Sequence, residues 1–266
     1  MRKSIKLQRL VVGALLPTIT MTAILAAPTY AASDMKVGVI TTTTGPLKPY
    51  GDSYLDALNW GLKYYTGGKM AINGRKFAIT IKDDAGDPDL ATSYFKDMAS
   101  NGTRMIVGSS NLNSAIALAA QAEQSKVLFI SGSVKNDAIT SATSKYVFRS
   151  GNTATQDLAT FAGIRPVSGR RIVIFVEDNN FGAGIIAATK ALLGAKSVNF
   201  VEIKVPTNTS DFNTYAKQAA DAKGSYIILG WSNGLTSGAM LQALKSQGAF
   251  IKQRPLTTLS LTSTYN

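Results

Sequence analysis

The sequence predicts an α/β protein made of two doubly wound, Rossmann-like lobes joined by hinge crossovers. Three observations carry this. Short apolar runs such as MKVGVIT, residues 35–41, alternate with longer stretches of helical spacing, which is the pattern of a parallel sheet flanked by helices. The alternation pauses near residues 147–153 and restarts at Arg170 with RRIVIFVED, giving a first lobe over 33–150 and a second over 151–252. The stretch RMIVGSSNLNSAIALAAQAEQ, residues 104–124, reads as strand, polar turn and helix. Its turn, residues 109–114, is rich in hydroxyls and amides and opens a helix where Asn113 or Ser114 is a candidate cap. Open parallel sheets take their ligands above the strand ends, and a helix N-terminus favours an anionic group there.

Composition narrows the function classes. With 45% hydrophobic and 17% charged residues, the chain is globular rather than disordered. It has no Cys and no His, which removes thiol nucleophiles, imidazole bases, disulfides and the usual zinc ligands. Neither a cofactor nor a metal is expected, nor an enzyme. The formal charge is +12, yet Arg2, Lys3, Lys6 and Arg9 crowd the first nine residues and the other basic residues are scattered. Without a basic run interleaved with aromatics, the charge does not indicate a nucleic-acid partner.

In chain order, residues 1–32 read as a signal peptide. MRKSIKLQR is a cationic start, LVVGALLPTITMTAILA an apolar stretch broken by Pro17, and cleavage is expected after Ala31 or Ala32. Pro17 and the interspersed Thr residues argue against a membrane anchor, and the lack of Cys excludes a lipid-anchored form. An exported periplasmic protein follows, with no membrane span once the peptide is removed. The first strand, 35–41, leads through Gly45-Pro46 to a helix from about Gly51, whose Leu55, Leu58, Trp60, Leu62 and Tyr65 form an apolar stripe. FAITIK, residues 77–82, is a strand; the acidic loop DDAGDP precedes a helix over about 89–101. VLFIS and YVFR complete the first lobe, after which helix and strand alternate again to residue 252.

Three motifs invite chemistry. FGAGIIA, 181–187, matches a dinucleotide fingerprint, but it does not sit in the first βα turn of its lobe and reads better as a glycine-eased helix start. GWSNG, 230–234, matches a nucleophile elbow, but the chain has no His to take the Ser232 proton; Ser232 is better used as a hydroxyl offered to a ligand. DDAGDP, 83–88, lacks the spaced ligands of a calcium loop and reads as a turn with capping aspartates.

The segments KVGVI…TGPLKPYGD, IKDDAGDP, MIVGSSNLNSAIALA, VLFISGSVKNDAIT, YVFRSG, IVIFVEDNNFGAG and PTNTSDF follow one another in an order and spacing that resembles the Leu/Ile/Val-binding family of type I periplasmic solute-binding proteins. The resemblance implies a two-lobed, monomeric protein that closes over a small molecule and hands it to an ABC transporter permease. It also implies site positions. Tyr50 stands where an aromatic lines the ligand; Asn113 and Ser114 lie in the turn that holds a carboxylate, with Leu112 where many members carry Ser. Ser133, Val134 and Lys135 lie in the next ligand loop, with Lys135 where many carry Thr. Phe181 and Trp231 or Ser232 are the second-lobe positions. The same fold also serves as a sensory domain in receptors and regulators, which is the alternative function.

The strand ends at Gly108, Ser131, Glu177 and Gly230 are expected to rim the cleft. The ligand is expected to be a small polar organic molecule, an amino acid, a carboxylate or an amide, with the carboxylate or amide favoured over a standard amino acid. The acids that the family places around a ligand ammonium fall here near Ala154 and near Leu259 and Ser260; Asp178 is the remaining candidate, otherwise a cap for the next turn. Members of the family are longer than this chain. Residues 253–266 are expected to begin a return segment whose continuation is missing, leaving an apolar patch on the first lobe.

Overall fold

The computed structural model describes residues 33–140, 144–164 and 167–257. The signal-peptide expectation therefore lies outside the described residues. Two sheets organise the chain. The first contains β1 (Met35–Thr41), β2 (Ala71–Ile72), β3 (Arg75–Asp83), β4 (Met105–Gly108), β5 (Leu128–Ser131) and β6 (Val147–Arg149), in the order β2-β3-β1-β4-β5-β6. All pairs are parallel except β2 with β3. Its helices are α1 (Lys48–Tyr65), α2 (Pro88–Ser100) and α3 (Leu112–Ser125). The second sheet has the order β10-β9-β7-β8, all parallel, from β7 (Arg171–Glu177), β8 (Asn199–Val205), β9 (Tyr226–Gly230) and β10 (Arg254–Thr257). Between and around these strands run α4 (Ala154–Ile164), α5 (Asn180–Leu193), α6 (Asn213–Asp221), α7 (Ser237–Ser246) and α8 (Ala249–Lys252).

Strand β7 shows why the second lobe folds as it does. Its run RIVIFVE is buried from Ile172 onward, on both faces. Val173 and Phe175 pack with Ile227, Leu229 and the α6 and α7 residues Ala216, Ala219, Met240 and Leu244. Ile172, Ile174 and Val176 point the other way, onto Leu158 and Phe161 of α4 and Ile185 of α5. A strand covered on both faces needs a continuous apolar run, which is what the sequence supplies. In the first lobe, Ile40, Ile106, Phe129 and Val147 pack against Phe95 of α2 and Leu118 of α3.

The α1 stripe behaves differently from the expectation. The helix starts at Lys48, and Gly51 is its only buried residue. Trp60 and Tyr65 are 66% and 84% exposed. Leu55, Leu58 and Leu62 line an open depression with Ile79 and Ile81 of β3. The leucines of the stripe face β3 without closing fully against it, and the aromatic residues lie in solvent.

The sheet orders place the cleft. Strand β1 lies between β3 and β4, and β7 between β8 and β9, so the chain reverses direction across each sheet at those strands. Loops diverge at such switch points and open a crevice. Register aligns the strand ends on each sheet: Ile40 pairs with Gly108, Gly108 with Ser131, and Val176 with Gly230.

Candidate functional site

A cavity of about 130 Å³ lies where the loops after β1, β4 and β5 face those after β7 and β9. That is room for a small organic solute rather than for a single water. Of the eight site residues expected from the sequence, Tyr50, Asn113, Ser133, Lys135, Phe181, Trp231 and Ser232 line it. Ser114 does not. It is fully buried, its N–H bonds Asn111 Oδ1 at 2.9 Å, and its Oγ has no hydrogen-bond partner. Asn111 is thus the cap of α3, correcting the assignment to Asn113 or Ser114. The difference is one of register: only Asn111 has extended backbone, φ −105° and ψ 133°, with its side chain placed to reach the third helical N–H.

The first wall is rich in donors. The N–H groups of Leu112 and Asn113 are in the first turn of α3 and have no carbonyl within the helix to bond. Lys135 Nζ lies 2.8 Å from Asp157 Oδ2, both side chains about a quarter exposed (26% and 23%). Asp157 is in the first turn of α4, and Asn152 Nδ2 donates to its other oxygen at 3.2 Å. Arg149 fixes the loop that carries Lys135, donating to Thr140 Oγ1 at 2.9 Å and to the Asn136 carbonyl at 2.8 Å. Burial pulls the Arg149 guanidinium below its usual value, and neighbouring Asp137 pulls it back up.

The second wall comes from β7 and β9. Asn179 caps α5 by accepting from the Gly182 N–H at 2.9 Å, so the capping role expected of Asp178 belongs to its neighbour. Asp178 itself is exposed and not among the lining residues. Trp231 reaches the cavity only in part. It is 4% exposed, its ring stacks on Phe175 with centroids 6.0 Å apart, and Nε1 donates to Thr236 Oγ1 at 3.1 Å. Its ring is chiefly core. Ser232 donates its backbone N–H to Glu177 Oε2 at 2.7 Å and its hydroxyl to the same oxygen.

The two walls meet. Asn180 Nδ2 donates to Asn113 Oδ1 at 2.9 Å, and Phe181 packs against the first-lobe core and against one of the second-lobe cores. Gly184 of FGAGIIA serves this contact, while Gly182 lets α5 start against its own strand β7. A Cβ on Gly182 would lie 2.0 Å from the Glu177 carbonyl oxygen, and one on Gly184 would lie 2.4 Å from Asn136 Nδ2.

The acidic loop works behind the first wall. Asp84 is fully buried and accepts from Thr42 Oγ1 at 2.6 Å and Ser109 Oγ at 3.0 Å. Asp83 accepts the N–H groups of Thr43 at 2.8 Å and Ala85 at 2.9 Å, and Asp87 caps α2. Among the described residues, none of those lining the cavity is acidic, and no acidic cluster is placed to hold a metal. Ala154 is buried in the second-lobe core; Leu259 and Ser260 lie outside the described residues.

Sequence reasoning missed Asp157, Arg149, Asn179 and Asn180. Asp157 carried no signal, since its partner lies 22 residues away. The Asn179-Asn180 pair at a helix start after a strand did carry one.

Residues 34–265 match the periplasmic binding protein family, and the chain belongs to it. It is 24% identical over 216 residues to the Leu/Ile/Val-binding protein BraC3 of Rhizobium johnstonii, covering 80% of this chain and 59% of that protein. It is 22% identical over 202 residues to the Leu/Ile/Val-binding protein of Escherichia coli, covering 75% and 55%. Among solved structures, an ABC-type branched-chain amino acid transporter from Rhodopseudomonas palustris superposes with a TM-score of 0.65 at 30% identity, covering 84% of this chain and 62% of that one. A Rhodopseudomonas palustris solute-binding protein in complex with p-hydroxybenzoic acid superposes with a TM-score of 0.73 at 20% identity, covering 85% and 61%, and shows the fold alone. The chain thus spans about three fifths of the length of the relatives it matches. Among the described residues, no helix is long and apolar enough to cross a membrane.

Proposed function

We propose that the chain is the solute-binding component of an ABC importer. It acts in the periplasm as a monomer after removal of residues 1–32, and delivers a small carboxylate or amide to a membrane permease. The bound molecule lacks the ammonium of a standard amino acid. The observation that carries this is the cavity wall itself. The α3 N-terminus and Lys135 face the cavity, and none of its described lining residues is acidic. Such a wall favours a carboxylate, while a buried ammonium without an anionic partner costs several kcal/mol. Membership of the periplasmic binding protein family and the solute-binding roles of its relatives support the transport reading.

Calorimetry on the full-length gene product tests this. Leucine and phenylalanine are compared with their deaminated acids and with short amides. A deaminated acid or amide is expected to bind at least about tenfold more tightly than its parent amino acid. Tighter binding of leucine than of its deaminated acid would show that the ammonium finds a partner and would overturn the ligand class.

A further inference from the structure

Lys135 is the one charged side chain among the described residues that line the cavity, and it does not present a bare charge. Its ammonium lies 2.8 Å from Asp157 Oδ2. The pair crosses between the lobes. Lys135 follows β5 of the first sheet, whereas Asp157 is in the first turn of α4, whose Ala154, Leu158 and Phe161 pack in a second-lobe core. Asp157 is held from its own side. Its N–H donates to the Thr153 carbonyl at 3.2 Å, and Asn152 Nδ2 donates to its Oδ1 at 3.2 Å. The N-terminus of α4 favours its negative charge. Next to it, Asp137 of the Lys135 loop accepts the Thr155 N–H at 3.2 Å, and its charge acts on Arg149. The two cations of this corner, Lys135 and Arg149, are thus each faced by an acid, and neither acid lines the cavity. An ammonium has three donors, of which Asp157 takes one. A solute carboxylate that reaches Lys135 is attracted by the ammonium and repelled by the carboxylate behind it. A neutral amide of the same skeleton feels neither charge strongly.

Resting on the reading that the cleft holds a small carboxylate or amide, we propose that Asp157 is a positioning residue that sets how strongly the cleft separates an anionic solute from its neutral amide. It holds Lys135 from the second lobe and offsets its charge, so the wild-type cleft accepts both classes and draws the carboxylate only moderately. The residue that decides charge selectivity stands outside the cavity, on the opposite lobe from the cation it controls.

The test is calorimetry on the full-length gene product with two matched pairs, 4-methylpentanoate with 4-methylpentanamide and 3-phenylpropanoate with 3-phenylpropanamide. The readout is the ratio of carboxylate to amide affinity within a pair. Asp157→Asn keeps the shape and an oxygen for Lys135 but removes the charge. The ratio is expected to rise about fivefold, through tighter binding of the carboxylate. Asp157→Glu keeps the charge and should leave the ratio near that of the wild type. Lys135→Met leaves an uncompensated acid behind the solute, so the ratio should fall below that of the wild type, and adding Asp157→Asn should bring it part of the way back. A structural role alone would lower both affinities together and leave the ratio in place. A ratio that is unchanged or lowered in Asp157→Asn would overturn the proposal while leaving solute capture standing. If leucine binds the wild type and neither pair does, the carboxylate-or-amide reading falls, and this proposal with it.

Discussion

Asp83 shows how far the cleft depends on groups that never face it. Burial pushes its carboxyl up, but the N–H groups of Thr43 and Ala85 and the hydroxyls of Thr44 and Thr43 outweigh this and hold it below the ordinary 3.8. A carboxylate with a depressed folded value contributes stability that is present above the unfolded value and lost as pH falls through the folded one. The wild-type melting temperature is therefore expected to drop further than that of Asp83→Asn between about pH 6 and about pH 3, by a small margin because the group is partly solvated. Equal drops would mean that these bonds carry no pH dependence. At this scale the sequence was readable where a residue's role is local. Asp87 beside Pro88 reads as a helix cap and is one. It was unreadable where the role needs a distant partner: Lys135 is legible as a cavity residue, but nothing in the sequence pairs it with Asp157 or Arg149 with the Asn136 carbonyl.

At the scale of elements, α5 and α1 make opposite points. Helix α5 approaches the first lobe so closely that Gly184 meets the Asn136 side chain, which is pinned by its bond to the Ala138 N–H at 2.9 Å. Gly184→Ala improves helix propensity by up to about 1 kcal/mol and obstructs the meeting of the walls. It is expected to leave the melting temperature of the unliganded protein equal or higher while weakening ligand binding several-fold, as read by calorimetry. Affinity equal to wild type would show that the contact is not needed for binding. Helix α1 leaves Trp60, Tyr64 and Tyr65 exposed instead, while Leu55, Leu58 and Leu62 line the depression against β3. The stripe was legible as periodicity, but periodicity cannot say how closely the helix seats on the facing sheet. Trp60 and Tyr64 stack on each other in the open, centroids 5.2 Å apart, and Ile81, which lines the depression with Leu58, is exposed as well. Such a patch binds hydrophobic dyes. Leu58→Lys with Ile81→Lys is expected to reduce dye fluorescence clearly, and an unchanged signal would place the dye-binding surface elsewhere.

For the whole molecule, the two-lobed architecture was legible because strand and helix periods alternate over both halves, and β7 declared its two-sided burial in one run of six buried residues. The meeting of the lobes was not legible, since it rests on pairs such as Asn113 with Asn180, 67 positions apart. Phe181 joins the lobes most directly, because its ring packs in a core on each side of the cleft. Opening of the cleft is expected to draw that ring away from one of them. Exposing part of a phenyl side chain costs about 1 kcal/mol, and a step of this kind precedes every encounter. Uptake is then gated: in stopped-flow mixing, the observed rate should level off as solute is raised, and Phe181→Ala should lift the plateau. A rate that climbs linearly to the highest concentrations would show an open door. With such a gate, an uncharged ring is expected to add to the dwell time of the solute without taking part in recognising its carboxylate, so Phe181→Ala should change release while leaving the preference among solutes in place.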